Sequence, residues 1–342
     1  MNKSRRNILK MLPALAFAPL CRAYAADAGV AQLRINIPGP RALPFLPIEL
    51  IPLLGIDKSM NSQLVIRYFP SGIRAVDDML AGNAEFSAQG FTVLHGLQIK
   101  GHHIRAIAPL NGPAPPFGIV VHADLRKQIK SVADLKGRSI GVSIGSSTSK
   151  TYLQQMIEIF LKTNGVSPNE IRWVPTAQNW EGEFGALSSK SVDAVFCEEP
   201  FITGLVNSKI GFVLSDFSDP KIRGKIPGAG HLRAVLSTTT ESIAKDPHHA
   251  SLMVGMVRES LEWMSKNKAD KIARLLGSKN EDEKHELTAV LSKYPDMYPD
   301  TVQFSQNQLN ASAQFMRGVG IVTSDTFDVN SLVDSQFAGV KP

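Results

Sequence analysis

Residues 139–143, SIGVS, lie 106 positions after residues 33–37, LRINI, and both read as short buried strands running into turn-forming residues. The interval recurs along the chain. LVIRYF at 64–69 is answered by IRWVP at 171–175, an offset of 107, and IRAIA at 104–108 by GFVLS at 211–215, again 107. LAGNAEFSAQG around Glu85 is matched by LSSKSVDAVFCEEP around Asp193, offset 108. Correspondences that keep their order imply two copies of one β/α module. The expected fold class is therefore α/β with two lobes, each a mostly parallel sheet flanked by helices. Open α/β sheets bind ligands beyond the carboxyl ends of their strands, so two facing lobes make a cleft.

Local signals fill in the modules. Residues 45–54 read as a helix that Pro52 should kink or end, since proline lacks the N–H and crowds the preceding turn. Ile73, Val76 and Leu80 share one face of a helix over 72–81, with Gly82 as its C-cap. A strand at 84–88 and a helix at 93–99 complete the first module. The turn-rich NGPAPP at 111–116 leads into FGIVV at 117–121, where the first crossing between lobes is expected. Residues 131–137 form a short helix, and Leu153, Met156, Ile157, Phe160 and Leu161 define one face of the helix that follows the next strand. The return crossing is expected at 226–233, IPGAGHLR. Beyond Asp246-Pro247, an N-cap and first-turn proline, Met253, Met256 and Met264 read as core filling and the later helices as packing on the first lobe.

Length and charge narrow the class. A chain of 342 residues accommodates two ordinary domains, and its 43% hydrophobic and 20% charged content is that of a soluble protein. The net charge of +6 resides mostly in residues 1–25, where Lys3, Arg5, Arg6, Lys10 and Arg22 face no acid; the remainder has 32 basic against 31 acidic residues, or +1. No nucleic-acid partner is implied. SRRNILK at 4–10, a short apolar stretch and Ala23-Tyr24-Ala25 read as a twin-arginine export signal spanning 1–25 with an A-x-A cleavage site, directing the chain to the periplasm. Cys197 is then the one cysteine left, so no intramolecular disulfide forms.

The segments SVADLKGRSIGVSIGSSTSKTYL (131–153), ALSSKSVDAVFCEEPF (186–201), AVDDMLAGNAEFSAQG (75–90) and FPSG (69–72) resemble the nitrate, sulfonate, taurine and thiamine-precursor group of periplasmic solute-binding proteins. That resemblance implies the type II periplasmic binding-protein fold with two hinge crossings, dividing the chain into lobe one (26–118 plus 231–342) and lobe two (119–230). It also implies a monomer without cofactor, metal or catalysis that hands a small solute to the permease of an ABC transporter. The chain departs from the group at Gly90-Phe91-Thr92-Val93 and in the proline-rich stretch from Pro38 to Pro44, so the ligand does not follow from the resemblance.

Strand-end loops supply the candidate contacts. Ser146, Ser147 and Thr148 precede a strong helix, whose free N–H groups and dipole favour an anion; Ser147 or Thr148 merely capping the helix is the alternative, and position in the cleft favours ligand contact. Arg41 could clamp a carboxylate or sulfonate, or be a solvated loop cation. Ser71, Gln89, Gly90, Asn111, Asn179, Glu198 and Glu199 occupy equivalent strand ends; Trp180 could stack on a flat ligand and His231 could face it from the return crossing. A small organic anion, sulfonate-like or carboxylate-like, is the expected ligand.

Two other classes compete. GVSIG at 141–145 matches G-x-S-x-G, with Asp216 and His231 following in hydrolase order, which would make Ser143 a nucleophile. A desulfinase-like enzyme on the same fold would need a reactive cysteine or histidine, and the acids beside Cys197 should blunt its thiol. A sensor that hands its signal to a membrane receptor is the remaining alternative.

Overall fold

A computed structural model describes residues 30–112, 116–143, 145, 150–277, 281–338 and 340–341. Ten strands form two five-stranded sheets: β1 (Ala31–Pro38), β2 (Ser62–Phe69), β3 (Phe86–Gly90), β4 (Ile104–Pro109), β5 (Phe117–His122), β6 (Ser139–Val142), β7 (Arg172–Pro175), β8 (Ala194–Glu198), β9 (Gly211–Asp216) and β10 (Ala234–Thr239). The first sheet has the order β2-β1-β3-β10-β4 and the second β7-β6-β8-β5-β9. Each has three parallel strands at one side and one antiparallel strand, β10 or β5, inserted beside the third. The 33–37 and 139–143 strands hold the same place in different sheets, as the repeat requires.

The helices repeat as well. Gly72–Leu80 and Trp180–Ser188 start 108 residues apart, as do Val93–Ile99 and Phe201–Asn207. Between β4 and β5 the chain passes from the first sheet to the second, and between β9 and β10 it returns. The whole of FGIVV is thus sheet, inside the second lobe between β8 and β9. Its period could not distinguish a crossing from a buried strand.

Two differences from the sequence reading have local causes. The helix Leu46–Leu54 continues through Pro52 and ends at Gly55, whose φ of 69° is the left-handed conformation of a helix stop. Proline crowds the turn before it, and here only two residues follow it. The C-terminal helix Gln306–Gly318 does not belong to the first lobe alone. Its Leu309 and Met316 join the first-lobe core, while Phe315 is buried among Phe117, Tyr152 and Phe160 of the second. Met253, Met256 and Met264 are buried, as their spacing suggested. No helix among the described residues is long and apolar enough to cross a membrane.

Candidate functional site

The carboxyl ends of β1 and β3 face the elements that follow β6 and β7. Between them lies a cavity of about 30 Å³, walled by both lobes. That is little room for a ligand, and the two lobes lie in contact around it. Gly90, at the end of β3, makes the closure possible: a Cβ there would lie 2.4 Å from Tyr152 Cβ. Other contacts run from lobe to lobe beside it. Gln178 N donates to Pro70 O at 3.0 Å, and Thr92 Oγ1 donates to Gln155 Oε1. Hollows of about 400 and 450 Å³ lie elsewhere, one at the amino ends of β1 and β3 and one among the helices between 261 and 300. Neither receives strand ends from both sheets, so the small cleft is the better candidate.

Arg233 is the cation of this cleft, and it was not among the residues the sequence singled out. It opens the return into β10, lines the cavity and is 3% exposed. Its Nε and Nη2 donate to Gly112 O at 3.3 and 3.0 Å, and its guanidinium carbon sits 5.7 Å from the Phe117 ring centre. Nη1 makes no hydrogen bond among the described residues. Burial lowers the group from its ordinary value, but arginine starts so far above neutrality that the charge persists. A buried cation that lines a cavity and keeps one fork arm unbonded among the described residues is what an anion needs.

Beneath the cavity, Gln178 Nε2 donates to Glu198 Oε1 at 3.1 Å, while Glu198 Oε2 has no partner among the described residues. Burial pushes the Glu198 carboxyl up to about 7, against the Gln178 bond and the Arg233 charge, which both hold it down. Asn111 ties three elements together, donating to Pro44 O at 3.4 Å and accepting from Ala234 N at 3.2 Å. Gln89 borders the cavity with its amide already engaged by Ser87 and Ser237.

The other candidates are placed as follows. Gly90 and Asn111 line the cavity with Gln89; Ser71, beside it, caps the helix Gly72–Leu80. Asn179 caps the helix Trp180–Ser188 through Gly182 N at 2.8 Å. Trp180 stacks on Phe184, centroids 5.4 Å apart, and covers Gly204. Glu199 accepts from Thr203 N at 2.9 Å. Arg41 pairs through Nε with Glu283, and its backbone N–H donates to Glu49 Oε1 at 2.7 Å. None of these last five residues lines the cavity. Ser146, Ser147 and Thr148 lie outside the described residues.

His231 lies behind the cleft, stacked on Phe315 with ring centres 4.0 Å apart. Its Nδ1 is 2.9 Å from Gly228 O and its Nε2 2.8 Å from Tyr152 Oη. The neutral tautomer with the proton on Nδ1 satisfies both, donating to Gly228 and accepting from Tyr152. Burial pulls His231 down to about 4. The unfolded chain therefore takes up a proton that the folded chain refuses as pH falls from about 6.5 to about 4. Stability present above pH 6.5 is lost across that window, about 3 kcal/mol at most. Urea denaturation at pH 7 and pH 4.5 should show a smaller acid loss for His231→Gln than for wild type. Taking the difference removes Glu49 and Glu198, whose raised values act with the opposite sign.

The G-x-S-x-G serine does not assemble a relay. Ser143 Oγ is buried with no hydrogen-bond partner among the described residues, and both His231 nitrogens are taken. Asp216 Oδ1 accepts from Ser218 instead. Cys197 is fully buried, and burial, reinforced by Glu183, Glu199 and Glu198, pushes its thiol well above the ordinary value.

Two lobes of matched topology, closing on a buried cation, define a protein of the periplasmic binding-protein fold. Residues 67–209 match the family described as NMT1/THI5 like. No curated protein matches the chain. Solved structures do. A protein of Bordetella bronchiseptica RB50 is 22% identical with a TM-score of 0.76, over 90% of this chain and 95% of that one. The alkanesulfonate-binding protein of Xanthomonas axonopodis pv. citri bound to MOPS is 16% identical at TM-score 0.66, over 86% and 95%. A Candida albicans protein described as having the generic periplasmic binding protein fold is 13% identical at TM-score 0.68, over 91% and 98%. The family model and the shared fold support the solute-binding family recognised in the sequence.

Proposed function

We propose that the chain is the exported solute-binding component of an ABC transporter, capturing a small sulfonate-like or carboxylate-like anion in the interlobe cleft and delivering it to a membrane permease. The observation that carries this reading is Arg233, a buried cation with an unengaged nitrogen at a cavity between two lobes. The likeness to an alkanesulfonate-binding protein agrees with it in fold. A cavity of about 30 Å³ admits no such anion, so the lobes part to load it and close on it. The two lobes, divided between β4 and β5 and again between β9 and β10, would rotate as a hinged pair, with closure driven by contacts that the anion makes to both. The protein would act as a monomer in the periplasm without cofactor or metal.

Native mass spectrometry of protein purified without added ligand tests the ligand class. A retained small anion is expected; a retained neutral sugar or cation would overturn the anion reading and leave the two-lobed binding protein standing. The route of export is tested separately. Converting Arg5-Arg6 to Lys-Lys should abolish periplasmic accumulation, because the twin-arginine pathway reads that pair. Normal accumulation of the double variant would mean another route.

A further inference from the structure

Glu198 is an odd companion for an anion site. It stands at the end of β8, 1% exposed, with Gln178 between it and the cavity, Arg233 within electrostatic reach and one carboxylate oxygen unpartnered. An ionised Glu198 would cancel the charge that Arg233 presents to the cleft. We propose that binding of an anion beside Arg233 draws one proton from solvent onto Glu198, so that the site takes anion and proton together and loses affinity as pH rises. The inference rests on the anion-binding reading above.

The groups around Glu198 support it. From the first lobe come Arg233, which holds the carboxyl down, and Tyr298, half-buried and neutral. The helix Tyr152–Thr163 brings Tyr152, buried and likewise neutral. The helix Trp180–Ser188 brings Glu183, fully buried with an unpartnered oxygen and raised first by burial and then by Glu198. Opposite Glu198, β5 places Phe117, and the helix Phe201–Asn207 carries no titratable side chain. Along β8 itself stand Cys197, its thiol well above the ordinary range, and Glu199, raised by burial and bonded to Thr203. Arg233 is thus the one cation in this set. An anion that neutralises it removes what favours the ionised carboxyl and adds a like charge, and both push the proton on. Free Glu198 is half ionised near pH 7, so each unit above that should weaken binding by up to about tenfold, until the pKa of the bound state is passed.

Calorimetry with methanesulfonate and with butyrate, from pH 6 to pH 9 in imidazole and Tris buffers, tests this. Wild type should lose affinity above about pH 7, whereas Glu198→Gln should bind nearly independently of pH and more tightly than wild type at pH 9. Gln178→Leu removes a bond that holds the carboxyl down, so the wild-type decline should begin at a higher pH; that midpoint is read whatever the variant's absolute affinity. Equal pH profiles in wild type and Glu198→Gln, or an unmoved midpoint in Gln178→Leu, overturn the proton coupling. No binding of either probe by any of the three proteins at any pH sinks the anion reading itself, and the coupling with it.

Discussion

Arg233→Gln should weaken binding of methanesulfonate or butyrate by roughly ten- to a hundredfold. A hydrogen bond to a charged group is worth about 1.5–3 kcal/mol, which converts to that range. Glutamine keeps some length and a donor for Gly112 O, but it loses the charge and the fork. The position is buried and its guanidinium packs over Phe117, so part of any loss could come from disturbed packing rather than from the missing charge. Thermal unfolding separates the two. A variant with an unchanged melting temperature and a hundredfold loss of affinity assigns the cation to the ligand. Wild-type affinity in a stably folded Arg233→Gln would sink the assignment.

The repeat that announced two lobes was legible because buried strands leave a signal in the chain itself. Ile35 and Ile140 sit in runs whose period and flanking turns hold wherever the strand pairs, and their spacing survived in both sheets. What the interval could not settle was the role of 117–121. An antiparallel strand between β8 and β9 and an apolar crossing segment look alike in one dimension, since both are buried on two sides. Helix ownership was similarly hidden. Phe315 and Met316 are neighbours in one amphipathic helix, and only the arrangement in space sends one to each core.

The site was less legible than the fold, for a different reason. Strand-end loops could be named, and Gln89, Gly90 and Asn111 do line the cavity. Elsewhere the reading went to Asn179 and Trp180, whereas the neighbour Gln178 is the residue that lines it. In HLR at 231–233 the sequence points to His231 by its place after Gly230 in the return crossing, and alternation does not separate it from Arg233, two residues on and on the same face of an extended chain. One signal was available. An arginine immediately before the apolar Ala234-Val235-Leu236 must either snorkel or meet a partner inside, and here it lies inside.

Closure itself makes the second large prediction. Gly90→Ala places a Cβ 2.4 Å from Tyr152 Cβ, across the lobe interface. Real Cβ atoms do not approach so closely, and the obstructing atom belongs to the first residue of a helix, not to the end of a flexible side chain. In the open form proposed above the lobes part and this contact is relieved, so the strain would fall on the closed form alone. Overpacking of this kind costs about 1–3 kcal/mol, enough to shift the open–closed balance roughly five- to a hundredfold. Solution X-ray scattering should show Gly90→Ala more expanded than wild type without ligand, and anion affinity should fall by a similar factor because closure must now be driven against strain. The partner change Tyr152→Gly removes the obstructing atom, so Gly90→Ala combined with Tyr152→Gly should return the scattering toward the compact form. A Gly90→Ala protein as compact as wild type, with unchanged affinity, would show that this contact does not govern closure. A double variant no more compact than Gly90→Ala would place the obstruction somewhere other than Tyr152.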